Sequence, residues 1–384
     1  MKDDSIQKKR IIAFLPAVHL PIKTNERIPK MFSILSQHFE AIQVPLSRLN
    51  HIVYDQQINK FPRYILFMLD ESLIFLKTIV ISKRNKVALV FAENSYLFLA
   101  GGFAARILRV PAVWDNHGNI KLFAESLGKS KSFISSNVIL EKVLENLATR
   151  VFVVSHKDKD AYLKMGFDVG KFEVIPISAD MTTVSRNRMS KEEARRKLRI
   201  SPGGLIVLFF GTLNYYPNLE AVEYLVNEVY PTVKQRFPEV RFYVAGSGEY
   251  PGKLPEGVIH LGFVPFDPDL CTWLCAADVG VAPLWKGVGV LTKIVDMLSA
   301  GLPSVLSPLA KEGIPELEHG KNCLIGLDRL SFVEELSALL GDSDLQRRLG
   351  DQGKKLIAER YSWESVSPKI WDILDSLINV GERR

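Results

Sequence analysis

Short apolar runs alternate with longer amphipathic stretches along the whole chain, and the alternation starts afresh after a polar junction near its middle. Apolar runs of this length, each followed by a helical pattern, read as strands of a parallel sheet covered by helices. The first series predicts strands over 11–16, 41–44, 87–91, 112–114 and 151–154, with helices over 28–38, 63–83, 96–108, 135–148 and 157–165. The second predicts strands over 205–210, 241–245, 258–261, 279–282 and 304–306, with helices over 219–237, 270–277, 291–300, 330–340 and 344–360. Between the series, residues 177–202 are polar and charged. The fold class is α/β, and 384 residues give room for two full cores. Tandem sheets of this kind bind ligands beyond the carboxyl ends of their strands.

Charge separates the two series. The net charge is +6, too small for a nucleic-acid binder, yet residues 1–180 carry 25 basic and 17 acidic side chains against 24 and 26 in the rest. The first half therefore expects an anionic partner. Three cysteines, two of them Cys271 and Cys275, fit neither a disulfide framework nor a zinc site, and a reducing cytoplasmic setting is expected. The N-terminal apolar stretch is too brief for a secretory signal. Residues 64–82 are broken by Asp70, Glu71 and Lys77, so no bilayer span is expected.

The loops after the strands carry the chemistry. The run over 205–210 ends in Gly211, Thr212, Leu213, Asn214, Tyr215, Tyr216, Pro217 and Asn218, where Asn218 is placed to cap a helix whose free N–H groups attract anions. Ala245, Gly246, Ser247 and Gly248 follow the next strand in the same way. The richest loop runs through Trp285, Lys286, Gly287, Val288, Gly289, Val290, Leu291 and Thr292, opening a helix with Lys293 and Asp296 on one face. A cation at a helix start suits a diphosphate, and a carboxylate one turn on suits ribose hydroxyls. The plain alternative is an exposed Lys–Asp pair of small energetic weight. In the first half, His117 before Gly118 ends a strand and points to a sugar hydroxyl or phosphate, whereas His156 reads as a surface residue. Three Asp-x-Asp triplets, at 158–160, 267–269 and 342–344, read as caps and turns, so no metal is expected. No G-x-S-x-G, H-E-x-x-H or Walker loop occurs.

Taken in order, the runs RVFVVSHKDKDAYLKMGFDVGKFEVIPISAD, LFFGTLNYYPNLEAV, FPEVRFYVAGSGE, GVGVLTKIVDMLSAGLPSVLS, KEGIPELEHGKNCLIG and RRLGDQGKKLIAERYSWESV resemble the family 4 glycosyltransferases, retaining enzymes of the glycosyltransferase B (GT-B) fold. The resemblance covers most of the chain and is densest over 150–367. It implies two Rossmann-like domains facing each other across a cleft: an acceptor domain over 1–178 and a nucleotide-sugar domain over 179–362. A C-terminal helix over 363–384 then crosses back to the first. It further implies Lys293 on the diphosphate, Asp296 on the ribose and Gly287, Val288, Gly289, Val290 and Leu291 on sugar and phosphates. Thr292 completes that stretch. Gly211, Thr212, Asn214 and Gly246 would face the donor, and His117 the reacting sugar or the acceptor hydroxyl. Three departures stand out: Val288 replaces the usual first Glu, Thr212 the usual Arg, and Pro217 the usual Lys. They shift charge neutralisation onto Lys293, with Lys286 and the acceptor-side Arg27 as helpers.

The expected activity is transfer of a sugar from a nucleotide diphosphate sugar to a hydroxyl acceptor, without metal or other cofactor, in glycan, polysaccharide or glycolipid synthesis. The expected partners are the nucleotide sugar, a hydroxyl acceptor on a lipid, and the anionic cytoplasmic face of a membrane, docked through basic residues of the stretch 61–86. A catalytically inactive scaffold subunit and a nucleotide-sugar 2-epimerase are the alternatives.

Overall fold

The structure, a computed structural model, describes residues 10–16, 27–46, 60–126, 128–286 and 292–382. It divides into two compact units: Met1–Ile175 with Ser367–Arg384, and Pro176–Val366.

Unit 1 holds six parallel strands: β1 (Ile11–Leu15), β2 (Glu40–Gln43), β3 (Leu89–Glu93), β4 (Ala112–Asp115), β5 (Arg150–Val153) and β6 (Phe172–Val174), in the order β2-β1-β3-β4-β5-β6. Both faces of a parallel sheet are covered, so β3 and β4 are buried at every position. Ala13, Leu15, Val90, Ala92, Trp114 and Val151 join the core, where Phe98 from the helix Ser95–Leu108 stacks on Trp114 at 5.8 Å. Burying one such side chain contributes about 1.5–3 kcal/mol, which outweighs the modest helix and strand propensities. The C-terminal helix Trp363–Glu382 buries Ile370, Leu374 and Ile378. It is tied to unit 1 by Trp371 donating to Ile34 O at 3.1 Å and by Asp375 meeting Arg10 at 3.2 Å and His38 at 2.7 Å.

Unit 2 repeats the plan with β7 (Ile206–Phe210), β8 (Arg241–Ala245), β9 (Val258–Gly262), β10 (Val279–Ala282), β11 (Ser304–Leu306) and β12 (Leu324–Ile325), in the order β12-β11-β10-β7-β8-β9. The chain runs outward from β7 to β9 and then returns to β10 on the other side of β7. That reversal opens the crevice at the carboxyl ends of β7 and β10. Arg195, buried, locks the start of this sheet by donating to Asp278 at 2.6 Å and to Ala276 O at 3.1 Å.

Two strands escape the sequence pattern. β6 and β12 are three and two residues long, too short to show any period. Within the polar junction, Asp180 caps a short helix, Met181–Arg186, by accepting from Thr183 N at 3.1 Å.

Candidate functional site

At the reversal of unit 2, the helix Thr292–Ser299 begins beyond β10, and its two charged residues are not an exposed pair. Lys293 and Asp296 are 8% and 6% exposed. Lys293 Nζ reaches across to the loop after β7 and donates to Asn218 Oδ1 at 2.6 Å, lying 4.2 Å above the Phe209 ring. Among the described residues these are its partners, an amide oxygen and an aromatic face but no carboxylate. Burial pushes its pKa from the ordinary 10.5 down to about 7, because the charged form loses its water.

The loop is shaped for this approach. Gly211 sits at φ +152°, and a Cβ there would stand 2.7 Å from Lys293 Nζ and from Asn218 Nδ2. Only a residue without a side chain lets the ammonium lie against the backbone. Gly246 leaves room in turn for the carbonyl of Gly211, against which any Cβ would collide. Asn218 is not the cap of its helix: Tyr216–Tyr224 starts at Tyr216 with Pro217 in its first turn, and Tyr215, at the cap position, makes no side-chain cap bond. Instead Asn218 Nδ2 donates to Thr212 O at 2.8 Å, which turns Oδ1 toward Lys293. Thr212 and Asn214 are exposed on this loop, where Ser247 Oγ donates to Thr212 Oγ1 at 2.9 Å. Gly287, Val288, Gly289, Val290 and Leu291 lie outside the described residues. Lys286 is exposed and bonded to Glu220 at 3.3 Å.

Unit 1 gathers a second cluster at the ends of β3 and β4. Glu93 and Asp115 stand side by side in register, both fully buried. Arg27 grips Asp115 with Nη2 at 2.8 Å and Nε at 3.0 Å, and its Nη1 donates to Ile175 O at 3.0 Å. The Arg27 guanidinium is thus held inside by Asp115. His117, one third exposed, puts Nε2 at 3.2 Å from Asp115 Oδ2. Burial alone would raise the Asp115 pKa, but Arg27 and His117 outweigh it and hold the carboxyl well below the usual carboxylate range.

Asparagines fix the histidine loop. Asn116 Oδ1 accepts from Gly118 N at 3.3 Å and its Nδ2 donates to Tyr162 Oη at 2.6 Å, while Asn119 accepts from Leu122 N at 3.0 Å. Tyr162 donates onward to Glu141 at 3.0 Å, and burial lifts the Glu141 pKa to about 8 against these bonds. Asn94, at the end of β3, holds a left-handed φ of +56° while its side chain accepts from Leu97 N at 3.1 Å. Such a conformation in a residue other than glycine stores strain, which here sits beside the cluster.

Glu93 and Asp115 were not singled out from sequence, and Asn218 was read there only as a helix cap. A signal existed for the first two: both strands end in an acid followed by asparagine, Glu93-Asn94 and Asp115-Asn116. Among the described residues, Glu93, Asp115 and His117 each bring one ligand atom within 4.8 Å of the others. A cation there would have to displace Arg27, which already occupies both oxygens of Asp115.

Two family models match the chain: Glycosyltransferase Family 4 over residues 46–182, and Glycosyl transferases group 1 over residues 204–342. The D-inositol 3-phosphate glycosyltransferase of Nocardia farcinica is 24% identical over 303 residues, 72% of this chain and 65% of that protein. The MMP alpha-(1->4)-mannosyltransferase of Mycolicibacterium hassiacum is 29% identical over 126 residues, 32% of this chain and 30% of that one. The matched stretch therefore spans less than two thirds of either relative. Among solved structures, Anabaena HepE in complex with UDP-glucose superposes with a TM-score of 0.70 at 17% identity, covering 95% of this chain and 99% of that one. The sucrose-phosphate synthase of Thermosynechococcus elongatus gives 0.69 at 15% identity, with 97% and 100% covered.

Proposed function

The chain belongs to the family 4 glycosyltransferases and has their GT-B fold, and from that premise we propose that it moves a sugar from a nucleotide diphosphate sugar to a hydroxyl acceptor with retention at the anomeric carbon. The observation that carries this reading is Lys293: a buried amine beyond β10, with an amide, an aromatic face and a glycine around it and no carboxylate beside it among the described residues. An incoming diphosphate supplies the missing negative charge. As the bond to the sugar breaks, charge grows on the leaving diphosphate, and an ammonium already fixed by Asn218 stabilises it without reorganisation. Asp296, on the same helix, holds the ribose, and Thr212 and Asn214 flank the donor from the loop after β7.

Unit 1 contributes the acceptor side. Ionised Asp115 accepts a hydrogen bond from Nε2–H of His117, which leaves Nδ1 to accept a hydrogen bond from the acceptor hydroxyl and align it. Arg27 acts through Asp115 as a positioning residue. No metal enters this reading. The acceptor is a hydroxyl on a lipid-linked molecule at a cytoplasmic membrane face, in polysaccharide or glycolipid assembly.

Incubation with a panel of UDP-, GDP-, ADP- and dTDP-sugars tests the reading. Sugar transfer, or slow donor hydrolysis with no acceptor present, supports it. Free interconversion of two nucleotide sugars identifies a 2-epimerase instead, and inert binding a scaffold subunit.

A further inference from the structure

The helix Lys60–Asn85 seats Ile74 in the core, with Phe75 and Ile81 packed against it, yet it also buries polar residues and exposes apolar ones. Its acids Asp70 and Glu71 are buried, as are Thr78 and Ser82. Burial lifts the Glu71 pKa to about 8, with Asp70 adding to the rise, so this carboxyl is neutral at pH 7. Ile65, Met68, Leu69, Leu73, Leu76 and Val80 meet solvent instead, each 42–63% exposed. Their spacing of three, four, seven and eight residues keeps them on one face. The neighbouring helix Ser95–Leu108 lies alongside, with Tyr96 against Phe67 at 5.4 Å, and adds Phe103 and Ile107, 44% and 62% exposed. Exposed apolar side chains on two packed helices of a folded protein mark an interaction site.

The charges around the face name its occupant. Lys83, Arg84 and Lys86 stand exposed at the end of the first helix, and Arg106 and Arg109 at the end of the second. No exposed acid opposes them on either helix: the first has only the buried Asp70 and Glu71, and the second has none. Two copies meeting through this face by a two-fold axis would bring basic rims of one sign together, which disfavours self-association. No helix among the described residues is long and apolar enough to cross a membrane. We infer that this face lies flat on an anionic bilayer, its apolar residues in the acyl boundary and its basic rim among the headgroups. This differs from docking through basic residues alone. Lys77, counted among those residues from sequence, turns back to the chain and donates to Leu46 O at 3.1 Å and Pro45 O at 3.2 Å.

The docking stands on the helix face, while its use, delivering a lipid-linked acceptor, rests on the transferase reading. The full chain is tested by flotation with vesicles of phosphatidylcholine alone and of equal parts phosphatidylcholine and phosphatidylglycerol. The wild type is expected on the anionic vesicles and far more weakly on the neutral ones. The combined variant Leu69→Gln, Leu76→Gln, Val80→Gln should lose about a hundredfold in partitioning, since each apolar group withdrawn removes its burial. Its melting temperature and UDP affinity should not change, because all three side chains are exposed. A Leu76→Trp variant should be quenched by brominated lipids. Full retention of vesicle binding in the triple variant, or no binding by the wild type, would overturn the inference. So would a dimer that the triple variant dissolves, because the occupant would then be a second copy. UDP binding without vesicle binding sinks the docking alone, and vesicle binding without any nucleotide binding sinks the transferase reading alone.

Discussion

The two units each bury charge at the carboxyl ends of their strands, and they treat it in opposite ways. In unit 1, Asp115 receives two guanidinium nitrogens of Arg27 and the ring of His117. In unit 2, Lys293 is also buried but meets an amide oxygen and an aromatic ring. A buried charge that the chain itself neutralises serves to position its neighbours. One without a counter-charge among the described residues is, on the proposed reading, kept for a ligand to fill, and the pKa values follow: Asp115 is held ionised, whereas Lys293 has fallen to about 7. On the proposed reading, acceptor alignment falls to the first unit and anion binding to the second.

Removing the counter-charge in unit 1 should have the largest effect. Asp115→Ala leaves Arg27 buried without its carboxylate, and loss of one partner of a buried ion pair costs about 3–5 kcal/mol. Urea unfolding should register that loss, and a variant with unchanged stability would show that Arg27 simply swings out to water. The matching change in unit 2 should behave differently. Lys293→Met should weaken nucleoside diphosphate binding by about 1.5–3 kcal/mol, the range for charged hydrogen bonds. Its melting temperature at pH 6 without ligand should be no lower than wild type, because the variant no longer buries a protonated amine. The folded pKa lies below the ordinary 10.5, so the folded chain holds fewer protons than the unfolded one between about pH 7 and 10.5. Stability from this site therefore rises with pH across that window, and the variant should lose this part of the slope.

Glu71 provides the reverse slope. Its folded pKa is raised from 4.5 to about 8, so its contribution is present below 4.5 and fades as pH climbs through 8. Glu71→Gln should be more stable than wild type at pH 8.5 and show no such gain at pH 5. An equal change at both values would mean that the carboxyl reaches water. The smallest effect belongs to Asp296. As a ribose ligand it should favour UDP over a 2′,3′-dideoxy analogue by about 0.5–1.5 kcal/mol, one ordinary hydrogen bond, and Asp296→Asn should narrow that gap. Equal binding of both nucleotides by the wild type removes Asp296 from the ribose.

The fold was legible because its signal is repeated: each buried parallel strand is a run of apolar residues, and each covering helix has its own period. β6 and β12 escaped because two or three residues carry no period. The donor-side reading found Lys293 from its place after a glycine loop, but it could not see Asn218 as the partner. Asn218 lies 75 positions away, and only the adjacency of β7 and β10 brings the two together. Arg27 was assigned by charge alone, and charge does not say where a guanidinium points. The helix Lys60–Asn85 misled differently: its composition is that of an ordinary amphipathic helix, and only the structure shows that Asp70 and Glu71 face in while Leu69, Leu76 and Val80 face out.

The central claim is that a nucleoside diphosphate completes the charge of Lys293. Calorimetric titration with UDP and GDP at pH 8, in two buffers of different ionisation enthalpy, measures protons taken up on binding. The account predicts uptake of a substantial fraction of one proton, since the free lysine is largely neutral at that pH and the diphosphate restores its charge, and it predicts that Lys293→Met binds weakly with no uptake. Binding that takes up no proton, or uptake that persists in Lys293→Met, would contradict it.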